Sequence, residues 1–90
     1  MRKVLIVGAT STIAEQAARH FAAAGDALFL TGRNEERLAA ITDDLQVRGA
    51  PTVAARVMDA DDLSAHAAMI DAAEAALGGL DTVLVAYGTL

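Results

Sequence analysis

The sequence predicts an α/β fold built on a parallel sheet. Short runs of apolar, often β-branched residues alternate with longer segments whose apolar residues recur at helical spacing. Turns that contain glycine separate many of these segments. Strands that alternate with helices in this way are typical of β-α-β units around a parallel sheet. The predicted order is therefore β-α-β-α-β-α-β.

Four strands and three helices follow from this pattern. In chain order they are strand Val4–Val7, helix Ile13–Ala24, strand Ala27–Thr31, a helix capped by Asn34, strand Thr52–Met58, a helix capped by Asp61 or Asp62, and strand Leu80–Ala86. The helical residues predicted to face the core are Ile13, Ala14, Ala17, Ala18, Phe21, Ala22, Leu38, Ile41, Leu45, Leu63, Ala67, Ile70, Ala73 and Leu77.

Right-handed crossovers place the four strands in the spatial order 3-2-1-4, which is half of a doubly wound, Rossmann-like sheet. Ligands of such sheets bind at the carboxyl ends of the strands, where the strand order reverses between strands 1 and 4. The fourth strand carries Val83, Leu84 and Val85 at an edge of the sheet. Because a bare apolar edge tends to pair with another strand, we expect a homo-oligomer or pairing through strand 4.

Composition and charge exclude several function classes. The 90 residues carry a net charge of −5, which argues against nucleic-acid and anionic membrane partners. The chain has no cysteine, and hence no disulfide framework, thiol nucleophile or zinc–thiolate cluster. The apolar run near the N-terminus is too short for a signal peptide, and no stretch has the roughly 20 apolar residues of a membrane span. We therefore expect a cytoplasmic protein.

The junction between the first strand and the first helix has the context of a phosphate-binding turn. Gly8 supplies a tight turn, and Thr10 and Ser11 supply hydroxyl donors ahead of the helix. The N-terminus of a helix binds anions through its free N–H groups and its dipole. A tight turn followed by a simple helix cap explains the same residues, and this segment alone leaves both interpretations open.

Four stretches in this order and spacing resemble the short-chain dehydrogenase/reductase family. They are VGATSTIA (Val7–Ala14), LTGRNEERL (Leu30–Leu38), MDADD (Met58–Asp62) and VLVAYGTL (Val83–Leu90). The resemblance covers the whole chain and implies the N-terminal portion of a dinucleotide-binding domain, residues 1–90. It also implies an oxidoreductase that transfers a hydride between a nicotinamide cofactor and a carbonyl or alcohol carbon.

The chain departs from the family pattern at several positions. Val7, Thr12 and Ala14 stand where the family usually has Thr, Gly and Gly, and residues 86–89 replace its Asn-Asn-Ala-Gly. Ala14 is a mild change, because that position needs a small residue for packing. Thr12 is more serious, because the glycine there lets the backbone approach the pyrophosphate.

The end of the second strand predicts the choice of cofactor. An acidic residue there would bind the ribose 2′-hydroxyl of NAD, but this chain has Gly32 followed by Arg33. Glycine leaves room for a 2′-phosphate, and a guanidinium offers it charge-assisted hydrogen bonds, with Arg37 in position to assist. NADP(H) is therefore predicted over NAD(H), although Arg33 as a solvated loop charge is the alternative. By resemblance, Asp59 would accept from the adenine amino group and residues 86–88 would line the ribose. The predicted cofactor-binding residues are Gly8, Thr10, Ser11, Thr12, Ile13, Arg33, Asp59, Ala60, Ala86, Tyr87 and Gly88.

Catalytic residues are not predicted in this chain. The family uses a Tyr-x-x-x-Lys pair and a serine, whereas the only tyrosine here is Tyr87 and the only lysine is Lys3, at the opposite end of the sheet. No metal ligands are predicted either. Three functions remain open at this point: the NADP(H)-binding portion of a reductase, a stand-alone nucleotide-binding or sensing module, and a structural half-domain that associates through strand 4. A small-molecule substrate would bind only in an intact enzyme.

Overall fold

The structure is a computed structural model that describes residues 1–8, 12–58 and 63–85. It confirms the predicted element order, with boundaries that differ by at most two residues where both ends are described. The elements are β1 (Lys3–Val7), α1 (Thr12–Ala23), β2 (Ala27–Gly32), α2 (Glu35–Val47), β3 (Val53–Val57), α3 (His66–Leu77) and β4 (Thr82–Val85). A short 3-10 turn, Leu63–Ala65, precedes α3. The predicted start of the third helix at Asp61 or Asp62 and the end of the fourth strand at Ala86 lie outside the described residues.

The four strands form one parallel sheet in the order β3-β2-β1-β4, as the right-handed crossovers predict. Val7, the last residue of β1, lies opposite Thr31 of β2 on one side and Val85 of β4 on the other. Gly32 of β2 lies opposite Val57 of β3. This register brings the carboxyl ends of all four strands to one edge of the sheet.

Alternate strand residues supply two separate cores, one on each face of the sheet. On the first face, α1 and α2 cover a cluster that includes Val4 and Ile6 of β1. On the second face, α3 covers a cluster that includes Leu5 and Val7 of the same strand. The central strands are apolar on both faces because both faces are covered by helices. Among the described residues, no helix is both long enough and apolar enough to cross a membrane.

The helix α1 packs on the sheet through alanines. Ala14, Ala18 and Ala22 are fully buried, which confirms this part of the predicted stripe. Phe21 packs against the cluster at its margin. The prediction for Ile13 is wrong, because this side chain is 68% exposed. Ala14 is the residue that faces the sheet in the first turn, and Ile13 precedes it by one position, about 100° around the helix.

The predicted inward face of the third helix needs correction. Met69, Ala73 and Leu77 are the buried residues of α3, and they form a single stripe at four-residue spacing. Ala67 is exposed and Ile70 is 40% exposed, so neither belongs to the core. Their prediction failed because α3 is alanine-rich around its whole circumference, which leaves its apolar face poorly determined by periodicity. The side chain of Leu63 lies outside the described part of the chain.

Two aspartates hold the start of β1 at the opposite edge of the sheet. Asp26, which is 5% exposed, accepts a hydrogen bond from the backbone N–H of Arg2 at 2.8 Å. Asp81, which is exposed, accepts one from the N–H of Lys3 at 3.0 Å. In return, the backbone carbonyls of Arg2 and Lys3 accept from the N–H groups of Ala27 and Asp81 at 2.9 Å each. These bonds tie the turns before β2 and β4 to the central strand and set the sheet register.

We expect Asp26→Ala to lower the free energy of unfolding by about 1.5–3 kcal/mol, because it removes a buried, charge-assisted hydrogen bond to a backbone donor. Asp81→Ala is the matched control, since the Asp81 carboxylate makes the equivalent hydrogen bond from an exposed position. Its removal should lower the free energy of unfolding by a smaller amount. Urea denaturation followed by circular dichroism measures both. Equal losses in the two variants would show that burial does not distinguish these contacts.

Candidate functional site

The candidate site lies at the carboxyl edge of the sheet, where β1 turns into α1. Gly8 follows β1 directly and has a φ of +82°, a left-handed conformation that favours glycine. Its N–H donates to the carbonyl of Thr31 at 3.1 Å, so the turn is fixed against the end of β2. The side chain of Thr31 is itself buried. The predicted phosphate contacts Thr10 and Ser11 lie outside the described residues.

The first turn of α1 places different side chains toward core and solvent. Thr12 and Ile13 are both exposed, whereas Ala14 is fully buried against the sheet. The first N–H groups of a helix have no partner within the helix, and the positive end of its dipole lies among them. The buried Ala14 agrees with the prediction that this position needs a small residue. Contact of Thr12 and Ile13 with a cofactor stays a prediction.

The exit of β2 combines a buried glycine with an exposed cation. Gly32 is buried and its φ is not in the left-handed region, so a side chain at this position meets no backbone restriction. Arg33 is exposed and makes no hydrogen bond or ion pair with any residue that the structure describes. Asn34 then caps α2, its Oδ1 accepting from the backbone N–H of Arg37 at 3.0 Å.

The guanidinium of Arg37 is engaged by the neighbouring helix. Its Nη2 lies 3.5 Å from Oε2 of Glu15, which is in the first turn of α1. The sequence placed Arg37 beside Arg33 as a second cation for a phosphate. In the structure Arg37 joins the N-terminal ends of α1 and α2 instead, and its side chain remains 49% exposed.

Glu15 and Arg37 belong to a chain of ion pairs, here called the inter-helix network, that also includes Arg19, Asp44 and Arg48. Glu15 Oε1 accepts from Arg19 at 3.0 Å, and Asp44 Oδ2 accepts from Arg19 at 3.3 Å and from Arg48 at 2.7 Å. The hydrogen bond from Arg48 lowers the pKa of Asp44 from its ordinary value, assisted by the charges of Arg48 and Arg19, although desolvation opposes this. A lowered pKa in the folded state stabilises the fold above the ordinary pKa, and this contribution is lost as the pH falls through the lowered value. The carboxylate of Asp44 is therefore ionised at neutral pH.

The inter-helix network borders an open groove of about 360 Å³ between α1 and α2. Its lining residues are Glu15, Arg19, Arg37, Ala40, Ile41 and Asp44, all of which belong to these two helices. Sequence reasoning did not identify this network. The four-residue spacings of Glu15 to Arg19 and of Asp44 to Arg48 were readable signals, but the links between the helices depend on how α1 and α2 pack.

The other predicted contacts follow β3 and β4. Met58, at the end of β3, is buried, and its N–H donates to the carbonyl of Gly32 at 2.9 Å. This bond places the end of β3 at the same edge as Gly8 and Arg33. The predicted cofactor contacts beyond these strands, Asp59, Ala60, Ala86, Tyr87 and Gly88, lie outside the described residues.

The lysine and histidine side chains of the described ranges lie on three different elements, β1, α1 and α3. Lys3 lies at the opposite edge, where its Nζ donates to the carbonyl of Gly78 at the end of α3, at 2.9 Å. His20 is exposed on α1, with its ring edge-on to that of Phe21 at 6.5 Å. Within residues 1–8, 12–58 and 63–85, no group of three or more acidic or histidine side chains is arranged to hold a metal ion.

Comparisons with known proteins agree with this geometry. The sequence profile of the family described as short chain dehydrogenase matches residues 2–89. An uncharacterised oxidoreductase of Mycobacterium tuberculosis is 38% identical over 87 residues, which are 97% of this chain and 34% of that protein. Sulfoacetaldehyde reductase 2 of Chromohalobacter salexigens is 47% identical over 68 residues, or 76% of this chain and 26% of that protein.

A solved structure has the same fold. The short-chain type dehydrogenase/reductase of Mycobacterium ulcerans superimposes with a TM-score of 0.86 at 29% identity, over 93% of this chain and 31% of that one. The chain thus spans about a third, or less, of the length of these relatives.

Proposed function

Because the chain belongs to the short-chain dehydrogenase family, we propose that it binds the adenosine and pyrophosphate part of a nicotinamide dinucleotide, with NADP(H) preferred over NAD(H). The observation that carries the proposal is the exposed guanidinium of Arg33, directly after the buried Gly32 at the end of β2. The cofactor, when bound, supplies or accepts the hydride that this family transfers.

Charge distribution supports the preference for NADP(H). Arg19, Arg37 and Arg48 are each paired with a carboxylate in the inter-helix network. Arg33 has no such partner among the described residues, although the chain carries a net charge of −5. A guanidinium without a carboxylate partner at the carboxyl edge is available for an anion. The residue before it is glycine, so position 32 carries no acidic side chain that would repel a 2′-phosphate.

The turn after β1 supports the pyrophosphate subsite. Gly8 holds the exit of β1 against β2, and α1 begins at Thr12, four residues later. The N-terminus of α1 therefore lies at the carboxyl edge of the sheet, where the helix dipole favours an anion. Ala14 lets the helix approach the sheet closely. Of the two family glycines replaced in this turn, only Thr12 affects the surface open to the cofactor.

In the same proposal, the intact enzyme transfers a hydride to or from a carbonyl or alcohol carbon and uses residues beyond these 90 for this step. The name of the Chromohalobacter reductase specifies an aldehyde, which agrees with a carbonyl substrate for the present chain. Within residues 1–90 we place the cofactor-binding portion and assign no catalytic residue. A cytoplasmic location belongs to the same proposal and agrees with the acidic, cysteine-free composition.

The cofactor preference is tested by Arg33→Ala. A charge-assisted hydrogen bond contributes roughly 1.5–3 kcal/mol, so NADPH binding should weaken by about 10- to 150-fold while NADH binding stays nearly unchanged. Gly32→Asp should also weaken NADPH and should improve NADH, since its carboxylate repels the phosphate and accepts from the ribose hydroxyl. Calorimetric titration of both cofactors against the protein at its natural length measures these changes.

Arg2→Ala is the matched control for Arg33→Ala, because Arg2 is also exposed and its guanidinium has no partner in the described ranges, but it lies at the opposite edge of the sheet. This variant should bind both cofactors as the original protein does. Equal losses of NADPH and NADH affinity in Arg33→Ala would mean that this arginine has a structural role, and the NADP(H) assignment would fall.

We also propose that the 90-residue chain associates through β4. In the described sheet β4 is an edge strand, and its Val83 and Val85 side chains are 52% and 59% exposed. No charged residue lies within Thr82–Val85, whereas β3, at the other edge, carries the exposed Arg56. Charged residues discourage strand pairing at an edge, so β4 is the better template for a second copy.

Size-exclusion chromatography with light scattering tests this association. The 90-residue chain should form a dimer or larger species, and Val83→Lys should shift it toward the monomer. Val57→Lys on the opposite edge strand is the control and should leave the distribution unchanged. A monomer over a wide concentration range would contradict the proposal.

A further inference from the structure

The Glu15–Arg37 ion pair lies at the N-terminal end of α2, which begins two residues after Arg33. Arg37 is in the first turn of α2, where its N–H bonds the cap residue Asn34, and it follows Arg33 by four positions. The side chains of Arg33 and Arg37 thus start from the N-terminal end of α2, one on each side of its cap residue. Glu15 reaches Arg37 from the first turn of α1. The ion pair therefore bridges the N-terminal ends of both helices at the carboxyl edge of the sheet.

Arg37 is the most weakly held member of the inter-helix network. Its Nη2 lies 3.5 Å from Glu15, whereas the other ion pairs of the network measure 2.7–3.3 Å. It touches one carboxylate oxygen, while Arg19 contacts both Glu15 and Asp44. The Arg37 side chain is also the most exposed of the three arginines, at 49%. An ion pair between exposed side chains shifts an equilibrium by roughly 1.4- to 5-fold, so its release costs little.

Glu15 keeps a partner when Arg37 leaves. Its second carboxylate oxygen accepts from Arg19 at 3.0 Å, and this pair lies within one helix at four-residue spacing. Arg19 is in turn fixed by Asp44, which Arg48 also binds. The rest of the network therefore stays intact without Arg37. A phosphate with up to two negative charges is a stronger partner for a guanidinium than a carboxylate already shared with another arginine.

We propose that Arg37 is a second, exchangeable ligand of the 2′-phosphate and that Glu15 restrains it in the absence of NADP(H). When the phosphate binds beside Arg33, Arg37 exchanges the Glu15 carboxylate for the phosphate oxygens. Glu15 acts through Arg37 and is a positioning residue that sets the ratio of NADPH to NADH affinity. This inference rests on the proposed function, because it requires a 2′-phosphate at Arg33.

Glu15→Gln tests the restraint, with both cofactors titrated calorimetrically against the protein at its natural length. It keeps the shape of the side chain and removes the charge that holds Arg37. NADPH affinity should rise by about 1.4- to 5-fold, because the exposed ion pair no longer has to be broken, and NADH affinity should stay nearly unchanged. Arg37→Ala should weaken NADPH by roughly 10-fold and spare NADH.

Asp44→Asn is the matched control. It removes the other carboxylate of the network, which contacts Arg19 and Arg48 but not Arg37, so the NADPH to NADH ratio should stay unchanged. The double variant Glu15→Gln/Arg37→Ala completes a thermodynamic cycle. In the Arg37→Ala background, Glu15→Gln should no longer improve NADPH binding, because no arginine remains to be released.

Three results would overturn the proposal: an unchanged or lowered affinity ratio in Glu15→Gln, the same gain with and without Arg37, or the same gain in Asp44→Asn. The same gain with and without Arg37 would mean that the Glu15 carboxylate affects NADPH affinity only through its electrostatic field. The same gain in Asp44→Asn would mean that NADPH affinity depends only on the net charge of the protein. If Arg33→Ala weakens NADPH while Arg37→Ala does not, the exchange fails and the proposed function stands. If neither arginine affects NADPH, the proposed function fails and the exchange fails with it.

Discussion

The pairing of β1 between β2 and β4 determines where the rest of the structure lies. Because β1 is central, the chain leaves it through α1 to one side of the sheet and returns through α3 to the other. The strand order reverses beside β1, and the crevice of a doubly wound sheet opens at that reversal. The buried Asp26 binds the backbone just before β1, and the left-handed Gly8 turns the chain just after it. These two contacts fix the position of β1 along its own axis. The turn to α1 and the exit of β2 therefore meet at one edge.

The arginines near this edge differ in whether they have an ion-pair partner among the described residues. Arg19, Arg37 and Arg48 lie between α1 and α2, where carboxylates of the same helices pair with them. Arg33 lies one residue past the end of β2 and has no partner among the described residues. The helix dipole of α1 adds positive potential nearby. The proposal of a phosphate-binding edge depends on this contrast between paired and unpaired cations.

The amino-acid sequence predicts the fold well because its local patterns agree with one another. The stripe of Ala14, Ala18 and Ala22 was readable, since these residues recur at four-residue spacing beside strongly apolar strands. The buried face of α3 could not be determined from the sequence, because alanines on every side leave Met69 and Ile70 as equal candidates for the core. Gly32 and Arg33 were placed correctly by the end of an unambiguous strand. The Glu15–Arg37 contact was out of reach, since it joins residues 22 positions apart through the packing of two helices.

The crystal structure of the protein at its natural length with bound NADP⁺ tests the central claim most directly. We predict the 2′-phosphate within hydrogen-bonding distance of the Arg33 guanidinium and the pyrophosphate at the N-terminus of α1. A 2′-phosphate directed into solvent, with Arg33 turned away from it, would contradict the account.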